Sequence, residues 1–177
     1  MKQPFPIAAT IFAGGALMLS FVMLPGDNEM GAMDLRDQSY DGAVASYELA
    51  ATHGDRSKAT LAQLARAYAG SGDIDKAIGV YRDYLSREPD HLEAKLALLE
   101  AYNDGQRMDD YYRLLKDVAL NSDDTAHLRT LYEAAVMRQD LPVEEQALTA
   151  LSAKGAAEPD HLRRLAFLLA QNARFKD

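Results

Sequence analysis

The sequence predicts an all-α protein: an N-terminal transmembrane helix followed by an α-solenoid of helix–turn–helix repeats. Three observations carry this. "AHLRTL" begins at Ala126 and "DHLRRL" at Asp160, 34 residues later, and self-similarity at a fixed spacing of about 20–50 residues is the mark of a repeat architecture. Apolar residues recur three and four apart, with no strand-like alternation anywhere. From Ile7 to Leu24 the chain reads "IAATIFAGGALMLSFVML", without a single charge.

Composition sets the limits within which these elements must fit. The 177 residues suffice for one domain with little left over. A net charge of −8 with no basic stripe argues against a nucleic-acid footprint. The absence of cysteine excludes disulfides, thiolate metal sites and a cysteine nucleophile, and leaves the compartment open.

The first element, residues 1–26, reads as a transmembrane or signal-anchor helix. At about 1.5 Å per residue its apolar run spans about 27 Å as a helix, which matches a hydrocarbon core of about 30 Å. Pro6 is tolerated in the first turn, and Pro25 with Gly26 stops the helix. A cleaved signal peptide is the plainer reading. The run, however, exceeds the roughly 7–15 residues of a signal core, and no A-x-A-like site follows it. Lys2 and the amino terminus precede the span, with only Arg36 close behind it, so the bulk of the chain is expected outside the cytoplasm. Ala9, Ala13, Ala16 and Ser20 share one face that would let another helix approach closely. Small residues are also simply common in membrane helices.

Residues 27–35 form a linker with a degenerate first helix, and residues 36–177 form the solenoid, of about four repeats with the last incomplete. The clearest repeat runs from Ser57 to Asp90. Leu61, Leu64, Ala65 and Tyr68 share one helical face, Gly70 to Asp73 breaks the helix, and Ala77, Tyr81 and Tyr84 mark a second helix that Pro89 prevents from continuing. This stretch resembles the tetratricopeptide repeat (TPR) family, whose pattern is W-x2-L-G-x2-Y, then A-x3-F, then P. Leu64, Tyr68, Ala77 and Pro89 match; Leu61, Ala65 and Tyr81 replace the Trp, Gly and Phe.

Neighbouring repeats keep the register with weaker matches. Ala43, Tyr47 and Ala50 fall on second-helix positions before it, while Asp27 and Asp34 stand where apolar residues belong. After it come Leu98, Leu99, Tyr102, Leu115 and Val118, with Tyr111 in place of a small residue, which predicts a splayed hairpin. A further unit has Leu128, Leu131, Tyr132 and Ala135, then Leu148 and Leu151; a last one begins with Leu162, Leu165, Ala166 and Leu169. Asp90 and Asp160 are expected to cap helices, Asp90 with Glu93 as a capping box.

No catalytic, metal or cofactor constellation emerges from these residues. His91, His127 and His161 occupy equivalent positions at the starts of first helices. Stacked repeats hold such positions about 10 Å apart, too far for shared ligation through bonds near 2 Å. Asp109 and Asp110 fit a solvated helix start, and Tyr112 is the one tyrosine expected to be exposed. The resemblance implies a concave groove lined by first helices, which here places Arg66, Glu100, Arg129, Glu133, Arg163 and Phe167 on its surface. Such a mixed row suits an extended or helical peptide, although Arg129 and Glu133 could merely pair along their own helix. The family's carboxylate clamp is not reproduced.

The resemblance and the apolar segment together imply a membrane-anchored scaffold. It would be single-pass in a bacterial inner membrane, with the repeats in the periplasm, binding a membrane or envelope protein during assembly, secretion or export. The alternative is the anchor-and-repeat portion of a longer envelope protein whose activity lies beyond Asp177. "NARFKD" resembles the turn "SGDIDK" at Ser71–Lys76, so the chain stops where a second helix should begin. The apolar run from Leu165 to Ala170 is therefore expected to be covered by further chain or by a partner.

Overall fold

A computed structural model describes residues 25–174. The transmembrane expectation, with its face of Ala9, Ala13, Ala16 and Ser20, lies outside the described residues, as does Phe175. Among the described residues no helix is long and apolar enough to cross a membrane. What is described is entirely helical and divides into two compact units between Ser71 and Gly72. The two helices of the clearest repeat form as expected. The division falls in their turn, so each is described with its own unit.

The first unit contains α1 (Asp27–Arg36), α2 (Tyr40–Thr52) and α3 (Lys58–Ser71). Close approach is built from glycines facing tyrosines. A Cβ on Gly31 would lie 2.7 Å from the Tyr47 ring, so the degenerate α1 can lie against α2 only because this position has no side chain. Gly70 of α3 likewise lies under the Tyr40 ring of α2. Ala43, Ala50, Leu61, Leu64 and Ala65 complete the core. A polar knot joins α1 to the α2–α3 connection. Asp55 accepts from Asn28 Nδ2 at 2.5 Å, from Thr60 Oγ1 at 2.9 Å and from the Ser57 amide at 3.0 Å. These donors, the Ser57 amide foremost, hold the Asp55 carboxyl down at about 2.

The second unit runs through α4 (Ile74–Arg87), α5 (Leu92–Asp104), α6 (Met108–Asn121), α7 (Thr125–Arg138), α8 (Leu141–Ala153) and α9 (Pro159–Arg174). Each helix packs on the next, and α6 also touches α8. Ala77, Ile78, Tyr81 and Tyr84 bury the apolar face of α4. The main core gathers Leu99, Leu115, Val118, Leu128, Leu131, Val143, Ala147 and Leu151. Tyr111 is accommodated half-buried against that core. A buried leucine contributes about 1.5–3 kcal/mol, so Leu128 and Leu131 anchor α7 firmly.

The hairpin turns repeat in conformation as well as in place. Gln38, Gly72, Gln106 and Gln139 all adopt the left-handed region, with φ of 58°, 87°, 55° and 57°. Following the three glutamines, the amides of Ser39, Arg107 and Asp140 reach back to the carbonyls of Asp34, Tyr102 and Ala135 at 2.8, 2.8 and 2.9 Å. This bond closes a helix C-terminus by satisfying a carbonyl that would otherwise lack a partner. The left-handed positions 38, 72 and 106 are 34 apart, but 106 and 139 are 33 apart. The missing residue is in the α6–α7 connection, residues 122–124, which is shorter than the connection at 88–91.

Three local expectations are corrected. The next left-handed position would be 173, yet α9 continues through it to Arg174, so "NARFKD" does not make its turn within the described residues. Alanine, which occupies 173, is the strongest helix former. Asp90 does not cap α5; His91 does, without a side-chain bond, so no Asp90–Glu93 box forms. Asp160 lies inside α9, which opens on Pro159, where the missing N–H costs nothing.

Candidate partner-binding surface

In the second unit the first helices of the hairpins, α5, α7 and α9, carry five of the six groove residues. Glu100 lies on α5, Arg129 and Glu133 on α7, and Arg163 and Phe167 on α9; all are exposed. They alternate with the residues that hold the helices together: Leu99 beside Glu100, Leu128 beside Arg129, Leu168 beside Phe167. One helix face therefore builds the core while the adjacent face is left for contact. Arg66 holds the corresponding repeat position on α3 of the first unit and is exposed there. Leu96, one turn before Glu100 on α5, is half-buried against the core.

Local partners fix several of these side chains. Arg129 donates to the Ala156 carbonyl at 3.4 Å, ahead of α9, rather than simply bridging to Glu133. Arg163 pairs with Asp160 on its own helix. Phe167, 52% exposed, lies under the Arg164 guanidinium at 5.5 Å. Arg164 in turn reaches back to α8, where Nε and Nη2 donate to the two Glu144 oxygens at 2.5 and 3.0 Å. Hydrogen bonding to Glu144 raises the Arg164 pKa. Glu144 is 1% exposed, a fully enclosed carboxylate that the sequence reading passed over. Its signal was faint: it follows the buried Val143 within an otherwise aliphatic stripe.

The histidines and tyrosines have structural partners of their own. The His91 ring meets Tyr84 edge-on at 5.4 Å, and His161 meets Tyr132 at 5.0 Å. His127 is the exception: its Nδ1 is buried without a hydrogen-bond partner among the described residues, with Asp124 3.5 Å away. Tyr112, expected to be exposed, is half-buried: its hydroxyl donates to Asp140 at 3.1 Å and Arg138 stacks over the ring at 4.6 Å. Burial, reinforced by Asp140, pushes its pKa up to about 12. The Asp109–Asp110 pair is more than a solvated start. Asp109 accepts from Arg138 at 2.8 Å and Asp110 from Arg107 at 2.7 Å. Desolvation opposes the charged form of Asp110, but Arg107 and Arg113 outweigh it and lower its pKa.

A cleft apart from these residues was not foreseen. A cleft of about 800 Å³ follows the outer side of α8, lined by Leu141, Gln146, Thr149 and Ala150, with Leu120 of α6 and Leu168 of α9. The run of small and polar residues along α8 is the only trace of it in the sequence.

Comparison with known proteins agrees with the helical repeat fold. Residues 58–101 match the family model described as tetratricopeptide repeat. Among solved structures, MamA residues 41 to the end, from Desulfovibrio magneticus RS-1, resembles the chain with a TM-score of 0.58 at 19% identity, covering 85% of each chain. The MamA structure designated AMB-1 resembles it with a TM-score of 0.57 at 20% identity, covering 85% of this chain and 82% of that one. At such identities the likeness is one of fold. No curated protein matches the sequence.

Proposed function

We propose that this chain, an all-α array in which residues 58–101 are a tetratricopeptide repeat, is a non-enzymatic scaffold that binds a partner protein. Its N-terminal apolar segment would anchor it in the membrane beside an envelope complex. The observation that carries the reading is the set Glu100, Glu133 and Phe167, spaced 33 and 34 residues apart and exposed on successive first helices. Residues that recur at one repeat position and stay outside the core are suited to contact along an extended or helical ligand.

Affinity capture from native membranes tests this. The double substitution Glu133→Lys and Phe167→Ala should remove the captured partner while the helical circular-dichroism signal is kept. Lys76→Glu and Arg82→Glu on α4 should leave capture intact. If the α4 substitutions abolish binding and the double substitution does not, the surface is misassigned. Mass spectrometry of the membrane-extracted protein addresses the anchor separately: an intact N-terminus supports it, and a chain starting between Gly26 and Met33 overturns it.

A further inference from the structure

The first helices α5, α7 and α9 are neighbours in the second unit. Leu99 of α5 shares a core with Leu128 and Leu131 of α7, and the Tyr132 ring of α7 meets His161 of α9. Glu100, Glu133 and Phe167 thus form a row across three neighbouring helices, and each is exposed. The row does not await the next helix of the array. α6 and α8 already complete the hairpins that α5 and α7 begin, and Glu100 and Glu133 stay exposed beside them.

The charge of this face is one-sided. Among the described side chains of these three helices, every lysine and arginine has a partner: Lys95 has Asp117, Arg129 the Ala156 carbonyl, Arg138 Asp109, Arg163 Asp160 and Arg164 Glu144. Glu100, Glu133 and Asp104, one turn after Glu100, have none among the described residues. At the other end of the row Phe167 is 52% exposed, and Met137, one turn after Glu133, is 80% exposed. The face runs from free carboxylates on α5 to apolar surface on α9. Its complement is a ligand that is cationic at one end and apolar at the other.

Width and spacing fix the form of that ligand. Successive turns of one helix are about 5.4 Å apart, and the row one turn earlier carries Arg129 and Arg163. A helical ligand, about 10–12 Å across, would lie on both guanidiniums; an extended chain can follow the carboxylates alone. Packed helices lie about 8–10 Å apart, and a polyproline-type backbone returns every third residue to the same side after about 9 Å. We infer that the Glu100–Glu133–Phe167 row binds an extended segment of a partner protein, with two basic residues three positions apart and an apolar residue three beyond them. No stretch of these 177 residues supplies it: basic residues stand three apart only at Arg113 and Lys116, inside α6, followed by the wholly buried Ala119. The inference rests on the scaffold reading and names the partner's chemistry at the same face.

Fluorescence anisotropy of the full chain, titrated against a labelled peptide rich in proline and serine that carries lysine, lysine and leucine at every third position, tests this. Binding should saturate, and it should weaken about tenfold from about 0.05 to about 0.5 M salt. Glu100→Lys and Glu133→Lys should each weaken it about tenfold, and Phe167→Ala should do so with the salt dependence kept, all with unchanged helix content. Asp75→Lys, at an exposed site on α4, should leave it unchanged. The proposal is overturned by no saturable binding, or by equal loss from Asp75→Lys. Equal affinity for a helical peptide with the same residues spaced seven apart, or for one with glutamate in place of lysine, overturns it too. If Glu133→Lys with Phe167→Ala still abolishes partner capture in that case, the scaffold reading stands without it.

Discussion

At the residue scale, the left-handed turn positions are where the sequence departs most from what its backbone asks. A non-glycine residue in that region costs about 1–2 kcal/mol, and Gln38, Gln106 and Gln139 all sit there. Gln106 is exposed, so its replacement removes strain and little else. Gln106→Gly should raise stability by about 0.5–1 kcal/mol once glycine's larger entropy loss is subtracted. Urea denaturation would detect this, and a lower midpoint would show that the side chain matters. Asp55 gives a second prediction. Its carboxyl is held at about 2 against a usual 3.8, so folding benefits from its charge above the usual value and loses that benefit as pH falls towards 2. Melting temperatures measured between pH 2 and 5 should fall more steeply for the native chain than for Asp55→Asn. Neither feature was legible beforehand. Glutamine carries no turn signal, and Asp55 looked like one more acid in an acidic chain.

At the element scale, α9 is held by an unequal ion pair. Glu144 is enclosed, whereas Arg164 keeps 38% of its side chain exposed. Removing the arginine strands a buried carboxylate, a loss of about 3–5 kcal/mol in fully enclosed pairs and smaller here because water reaches the arginine side. Removing the carboxylate lets Arg164 turn to solvent. Arg164→Ala should therefore destabilise by about 2–3 kcal/mol and Glu144→Gln by less than about 1; equal losses in chemical denaturation would contradict this asymmetry. Helices were the most readable level of the sequence. The stripes Leu61–Leu64–Tyr68 and Leu128–Leu131–Ala135 are buried as their spacing required. Helix ends were read less well, because capping depends on where the preceding chain enters. Asp90 stands one residue before the N-cap of α5, and Asp160 is already the second residue of α9.

At the scale of the whole molecule, each helix leans on its sequence neighbours within its own unit, so protection should be graded rather than uniform. Native-state hydrogen exchange should show the slowest amides in α7 and α8, where Leu128, Leu131, Leu148 and Leu151 are wholly buried. The fastest in the second unit should be in α9; uniform rates would indicate a single cooperative block. The family resemblance, the repeat period and the exposed positions Glu100, Glu133 and Phe167 were all readable from the chain. The division at Ser71–Gly72 was not, because Gly72 falls at the same repeat position as the turn residues Gln38 and Gln106. The turns also differ from two of the returning connections in what they allow. Turns at 37–39, 72–73, 105–107 and 139–140 are pinned by a left-handed residue, and so are the connections at 53–57 and 154–158, by Gly54 and Gly155, whereas those at 88–91 and 122–124 carry none and differ in length. A reporter domain, an affinity tag or a lineage-specific insertion thus has a permitted address. It can be spliced into the connections at 88–91 and 122–124, and it is barred from the reversals that a left-handed residue pins.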